Sequence, residues 1–150
     1  MKTSNISGSC LCGGVTVSLP SPARDVGVCH CGTCRSWGSG PWMALQAPGA
    51  VIDGGCLKVY KSSSFAERGF CARCGTHIFH RPRLGSELAV SAGIFKATDF
   101  YVAREIFIDA KPPFYRFKAD SMKTTRARMI LEWFPKLAFR AVHSISGRKV

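Results

Sequence analysis

Seven of the eight cysteines in this 150-residue chain fall into three tight groups. They read Cys10-Leu-Cys12-Gly-Gly14, Cys29-His-Cys31-Gly-Thr-Cys34-Arg35 and Cys71-Ala-Arg-Cys74-Gly75. No other feature constrains the fold as strongly, because thiols held this close must become disulfides, metal ligands or reactive thiols. The chain opens Met1-Lys-Thr-Ser-Asn-Ile-Ser-Gly8 without the apolar stretch of a secretory leader, so the cytoplasm is the expected compartment. A reducing compartment disfavours structural disulfides and leaves metal binding or thiol chemistry.

Spacing favours metal. A C-x-x-C turn brings two sulfurs to one side, and a glycine after the second cysteine relieves crowding where the backbone doubles back. Zinc takes four ligands in a tetrahedron with sulfur about 2.3 Å away. Cys71 and Cys74 supply two, and the C-x-C of Cys10 and Cys12, followed by Gly-Gly, is a suitable second pair. That pairing closes one site and leaves Cys29, Cys31 and Cys34 together in a single loop. Three protein ligands with an exchangeable fourth position is the pattern of a reactive zinc. A fourth ligand from His30, His77 or His80 would instead make a second closed ion, with His30 the poorest choice because it sits between two ligands. An iron–sulfur cluster fits less well, since the ferredoxin spacings are absent. A dithiol redox site at Cys71 and Cys74 lacks the surrounding βαβ pattern. Cys56, alone beside Gly54-Gly55, is expected to be a small buried hydrophobe.

The remaining sequence predicts a mostly β domain. At 46% hydrophobic and 20% charged residues, the composition is that of a folded chain of one-domain size. No apolar run approaches the roughly 20 residues that span a bilayer. Val15–Leu19 alternates apolar and polar, and Trp42–Leu45, Leu57–Tyr60, Thr76–Phe79, Leu88–Ala92 and Glu105–Ile108 are further strand candidates. Turn signals separate them at Gly13-Gly14, Pro20-Ser-Pro22, Gly38-Ser-Gly40, Asp53-Gly-Gly55 and Lys111-Pro-Pro113. After Lys118 the character changes. Asp120–Phe134 lacks Gly and Pro and puts Met122, Met129, Ile130, Trp133 and Phe134 on or near one helical face. Pro135 is expected to end or kink that helix, with a second apolar stretch over Leu137–Ile145 and a frayed end at 146–150. The expected organisation is a zinc-binding domain over 1–118 and a basic helical extension over 119–150.

Three motifs in order resemble one family. Gly8-Ser-Cys-x-Cys-Gly-Gly14, Cys29-His-Cys-x-x-Cys-Arg35 and Ser62-Ser-Ser-x-x-x-Arg68-x-Phe-Cys-x-x-Cys-Gly-Thr76 are similar to the pattern of the glutathione-dependent formaldehyde-activating enzymes, a family that includes centromere protein V. The resemblance covers about residues 5 to 117, ending near Pro112-Pro-Phe-Tyr115. It implies a zinc-stapled, Mss-four-like fold of short stacked β-sheets. It also implies a structural zinc on Cys10, Cys12, Cys71 and Cys74 and a second, activity-linked zinc on Cys29, Cys31 and Cys34. The implied reaction is a carbon–sulfur lyase reaction in which glutathione, as co-substrate, and formaldehyde interconvert with S-hydroxymethylglutathione.

That chemistry suits an open three-thiolate zinc, which deprotonates a thiol bound as fourth ligand near neutral pH. Arg35, Lys61, Arg68 and Arg73 lie in or beside the motifs and are candidates to balance its charge or grip substrate carboxylates. Ser62, Ser63 and Ser64 offer hydroxyls, and Trp37, Trp42, Phe70 and Phe79 are candidate pocket walls or core. Among these, Arg35, Ser63 and Arg68 are the substrate-binding candidates. The net charge is +12, and the segment 119–150 supplies 7 basic and 2 acidic residues of that balance. No nucleic-acid motif accompanies the charge, so nucleic acid is not the expected partner. The terminal helix is expected to cover an open sheet face, in this chain or in a second copy of a homodimer. The alternative function is a non-catalytic zinc-stapled binding module whose basic tail engages nucleic acid, cytoskeleton or a protein.

Overall fold

The alternation at Val15-Thr-Val-Ser-Leu19 becomes a short strand with Val17 and Leu19 buried and Thr16 exposed. The same period of two recurs along the chain. The computed structural model describes residues 5–20, 24–96 and 99–146, the last helix by its backbone alone at 137 and from 139 onward. In chain order the elements are β1 (Ile6–Ser9), β2 (Thr16–Leu19), β3 (Asp25–Cys29), α1 (Gly32–Gly38), β4 (Trp42–Gln46), β5 (Val51–Asp53), β6 (Leu57–Tyr60), β7 (Ala66–Cys71), β8 (His77–Pro82), β9 (Ala89–Ser91), β10 (Tyr101–Ile106), β11 (Met122–Thr124) and α2 (Arg126–Ser146). The protein is mostly β. Ser21 and Pro22 of one expected turn, the first four residues and most of the expected frayed end lie outside the described residues.

The strands form two open sheets. A three-stranded antiparallel sheet runs β1-β2-β5, and an eight-stranded sheet runs β11-β10-β3-β4-β9-β8-β7-β6. β10 is parallel to both β3 and β11, and the other pairings of the large sheet are antiparallel. Strand alternation divides the large sheet into two faces. Val26, Val28, Leu45 and Val90 join Val15, Val17 and Leu19 of the small sheet in one buried cluster. Residues of opposite parity, among them Gly27, Cys29, Trp42, Ala44, Ala66 and Arg68, line a cavity. Side chains of α2 complete that cavity, with Met129 buried.

The start of the terminal helix differs from the expectation. Residues Met122–Thr124 pair in parallel with Arg104–Ile106 instead of opening a helix at Asp120. The edge of β10 offers unpaired backbone groups, and β-branched Thr124 suits a strand. Met122 is accordingly 53% exposed on β11 and takes no part in the helix. The helix starts at Arg126, where the Asp109 carboxylate accepts the Arg126 N–H at 2.8 Å and Thr125 Oγ1 accepts the Arg128 N–H at 3.4 Å. Pro135 does not end it. The helix passes through and continues to Ser146, with Pro135 lacking the N–H for one intrahelical bond. The short α1 gave no periodic signal in the sequence, being seven residues with glycine at both ends.

Candidate metal centre

The β1–β2 connection and the β7–β8 turn meet where the two sheets approach. There Cys10, Cys12, Cys71 and Cys74 gather with all four sulfurs within 4.8 Å of one another. Cys10 Sγ lies 3.6 Å from Cys12 Sγ, which lies 3.7 Å from Cys71 Sγ. Sulfurs at 2.3 Å from a central ion stand about 3.8 Å apart along a tetrahedron's edges, so these side chains fit a four-coordinate metal. The turns are held by backbone bonds: Cys10 N–H to Val15 O at 2.9 Å, Cys71 N–H to Thr76 O at 2.9 Å and Gly75 N–H to Cys71 O at 2.8 Å. Leu11 N–H donates to Thr76 Oγ1 at 3.1 Å and ties the two turns together. Gly13 and Gly75 both have φ of +74°, and a Cβ at either would meet nothing within 4 Å. The left-handed backbone, not the expected crowding, is what requires glycine there. The Thr76 hydroxyl and N–H hold the Cys74 thiol down to about 5, which presents a thiolate to a cation. Arg73 lies against this cluster, its guanidinium favoured by Cys56 and Cys12. Cys56 is half-buried against the core rather than fully buried.

The second group sits at the end of β3 and the start of α1. Cys29 closes the strand, Cys31 caps the helix by accepting the Cys34 N–H at 3.4 Å, and Cys34 is buried in its first turns. Their three sulfurs also lie within 4.8 Å of one another, and no histidine or carboxylate joins them among the described residues. The Cys29 and Cys34 thiols hydrogen-bond to Cys31 and, with the Arg68 charge, hold it down to about 2, whereas its bond to Cys31 drives Cys29 up. Three sulfurs this close form a ready three-ligand donor set once a cation displaces their protons.

Of the three candidate histidines, His30 and His77 are engaged elsewhere and His80 lines the cavity that the cysteines face. His30 is fully buried, with Nδ1 2.7 Å from Tyr115 Oη and Nε2 2.9 Å from Glu105 Oε2. Burial holds its pKa below the usual value. A neutral ring that accepts from Tyr115 and donates to the Glu105 carboxylate satisfies every partner, and Ser121 Oγ–H donates to Glu105 Oε1 at 2.5 Å. His77 packs on Trp37 with ring centroids 5.0 Å apart. His80 contacts Trp42 at 6.0 Å and lines the cavity, where burial lowers its pKa to about 4.

The three cysteines stand at the floor of a cavity of about 370 Å³. Arg68 projects from β7 beside them, 4% exposed, with Nη2 donating to Cys34 Sγ at 3.2 Å and the guanidinium 5.8–5.9 Å from the Trp42 and Trp37 rings. Its buried Nε makes no hydrogen bond among the described residues. Ser62 and Ser63 also line the cavity. Ser62 Oγ–H donates to Ala66 O, whereas Ser63 Oγ accepts the Ala66 N–H at 3.0 Å and so keeps its own proton to give. Phe107, which also lines the cavity, holds a left-handed φ of 56°. Arg35 is not among the cavity residues. Its Nε donates to His30 O at 3.1 Å, and its side chain lines a smaller pocket with Phe114 and Tyr115. Phe79 is core, and Trp37 stacks on Tyr60 and meets Phe70 edge to face. The Glu105–His30–Tyr115 network and the α2 wall of Met129, Ile130, Trp133 and Phe134 carried no sequence signal of a site; a buried acid far along the chain cannot be paired with a histidine before the fold is known.

Comparison with known proteins agrees with this arrangement. Residues 5–110 match the family described as "Glutathione-dependent formaldehyde-activating enzyme". A Schizosaccharomyces pombe protein named an uncharacterized lyase is 36% identical over 115 residues, covering 73% of this chain and 83% of that protein. The crystal structure of a Rhodobacter sphaeroides protein is similar in fold, with a TM-score of 0.53 and 23% identity over 80% of this chain and all of that one.

Proposed function

The chain belongs to the glutathione-dependent formaldehyde-activating enzyme family, and from that premise we propose that it is a zinc-dependent carbon–sulfur lyase acting on the aldehyde adduct of a small thiol. The reaction type is that of S-hydroxymethylglutathione forming from, or returning to, glutathione and formaldehyde. One observation carries the reading: the cysteine group with three sulfurs faces a cavity, while the group with four ties two turns together. Cys10, Cys12, Cys71 and Cys74 would hold a structural zinc, and Cys29, Cys31 and Cys34 a second zinc with a position to spare. When bound, that second ion supplies Lewis acidity and lowers the pKa of a thiol brought to it.

The chain's own residues do the rest. In the forward direction the thiol sulfur bonds the carbonyl carbon, the carbonyl π electrons move to oxygen, and the thiol's proton ends there. The free Ser63 proton is a donor on the cavity wall for that oxygen, and the Arg68 guanidinium offsets the charge of the thiolates. The His30–Glu105–Tyr115 bonds hold the Cys29–Cys34 loop in place from behind, which preserves the three-sulfur geometry. All eight cysteines are free of disulfides, in keeping with a cytoplasmic setting. Among the described residues no helix is long and apolar enough to cross a membrane. The packing of α2 on the cavity favours catalysis over a tail that serves as a separate binding module.

The test is zinc reconstitution, a metal count and exchange NMR on glutathione with formaldehyde. Two ions per chain and accelerated exchange that disappears in Cys31→Ser are expected. Full metal occupancy with no acceleration of any thiol–aldehyde exchange would overturn the assignment.

A further inference from the structure

We infer that the adduct handled above Cys29, Cys31 and Cys34 carries an apolar, ring-sized substituent, an inference that rests on the lyase reading. Formaldehyde brings two heavy atoms to a cavity of about 370 Å³, so nearly all of the space belongs to the rest of the adduct. The walls state what that rest must be. From α2 come Ile130, Trp133 and Phe134; from the strands and loops come Trp42, Phe65 and Phe107. Phe134 is 68% exposed, Ile130 56% and Phe65 51%. Apolar side chains kept in water at the mouth of a cavity lose that exposure when an apolar group settles between them, and the burial drives binding.

Charge points the same way. Apart from the cysteines, Arg68 and Glu87 are the charged side chains lining the cavity among the described residues. Arg68 is engaged with Cys34 Sγ and lies on two tryptophan rings. Glutathione carries two carboxylates and an ammonium, and among the described lining residues two carboxylates would find one cation, Arg68, which already donates to Cys34 Sγ. A phenyl-sized group faces rings instead. The substituent can belong to either half of the adduct, as an aromatic aldehyde joined to glutathione or as formaldehyde joined to an aromatic thiol. Both adducts form without a redox partner. The sulfur bonds the carbonyl carbon, and the thiol proton ends on the oxygen.

The experiment uses the full chain loaded with zinc. Exchange NMR is run on glutathione with formaldehyde, glutathione with phenylacetaldehyde, and benzyl mercaptan with formaldehyde. Tryptophan fluorescence gives the affinities of unreactive thioethers: S-benzylglutathione and benzyl methyl sulfide against S-methylglutathione. At least one phenyl arm should exceed glutathione–formaldehyde in kcat/KM by about tenfold or more, and the matching benzyl thioether should bind tighter by a similar factor. Which arm leads identifies the half that carries the ring. Trp133→Ala and Phe134→Ala should each remove most of that margin. Glutathione–formaldehyde exchanged as well as both phenyl arms would overturn the inference and leave the lyase reading standing. No exchange in any arm would overturn the lyase reading, and the thioether affinities, measured on the unmutated protein, would then decide the cavity: equal binding refutes the inference and tighter benzyl binding upholds an aromatic-ligand site.

Discussion

Glu105→Ala tests whether a buried polar network holds the three-cysteine loop. The carboxylate is 2% exposed and accepts from His30 Nε2–H at 2.9 Å and Ser121 Oγ–H at 2.5 Å. Truncation removes two charge-assisted bonds and leaves the fully buried His30 Nε2–H without an acceptor. Hydrogen bonds to a charged group contribute about 1.5–3 kcal/mol each, so the two together amount to about 3–6 kcal/mol. At about 2–4 °C per kcal/mol for a chain of this size, the melting temperature should fall by about 6–24 °C. Glu105→Gln should cost only about 1 kcal/mol, because the amide oxygen accepts from His30 and the Ser121 hydroxyl can turn to accept from the amide NH₂. Since His30 lies between Cys29 and Cys31, Glu105→Ala should also weaken metal retention at the three-sulfur site by about tenfold or more. Thermal unfolding by circular dichroism and chelator competition on zinc-loaded protein read the two effects. An alanine variant within 1 °C of the parent, or a glutamine variant as unstable as alanine, would refute this account of the network.

Three further tests follow from the same geometry. Cys31→Ser should lower the zinc count by one with the fold intact, whereas Cys71→Ser should unfold or aggregate the protein, as metal analysis with circular dichroism will show; a stable, folded Cys71→Ser would contradict the stapling role. Gly69→Ala should be severely destabilising, because the new Cβ would stand 2.2 Å from the Phe79 ring in the core; Gly75→Ala, which meets no atom but must keep a φ of +74°, should cost about 1 kcal/mol in denaturant melts. The Arg104 guanidinium, 2.6 Å away, holds the Glu132 carboxyl below its usual range and ties α2 to β10. That contribution is present above the ordinary glutamate pKa and is lost as pH falls through the lowered one. Glu132→Gln should therefore lower the melting temperature at pH 7 and converge with the parent at pH 3; an equal difference at both pH values would rule out the ion pair as its source.

Val15–Leu19 was legible because its period of two is written locally, and the short apolar runs Leu57–Tyr60 and Trp42–Leu45, bounded by turn signals, match β6 and fall one residue short of β4. β3 and β7 escaped although β3 alternates in burial, because each carries a glycine in place of one side chain and ends in a cysteine motif that reads as a metal loop. The terminal helix was legible in its apolar face but not in its start. Nothing local distinguishes Met122–Thr124 from a first helical turn; the open edge of β10, brought there by the fold, decides it.

The cysteine spacings determined by themselves which thiols can share an ion, since a turn of two or three residues has little freedom in where it points its sulfurs. The pairing of Cys10 and Cys12 with Cys71 and Cys74 was likewise readable by counting ligands. What tertiary structure alone decided is the environment of the remaining three. Strand alternation turns Cys29 to the face of the large sheet away from the core, and β7 carries Arg68 to Cys34 across 34 residues of chain. Pairing β11 beside β10 then lays α2 over that face. A cavity is a property of surfaces that meet from distant segments, so its apolar walls and its depth exist only once the sheets have formed and the helix has closed on them.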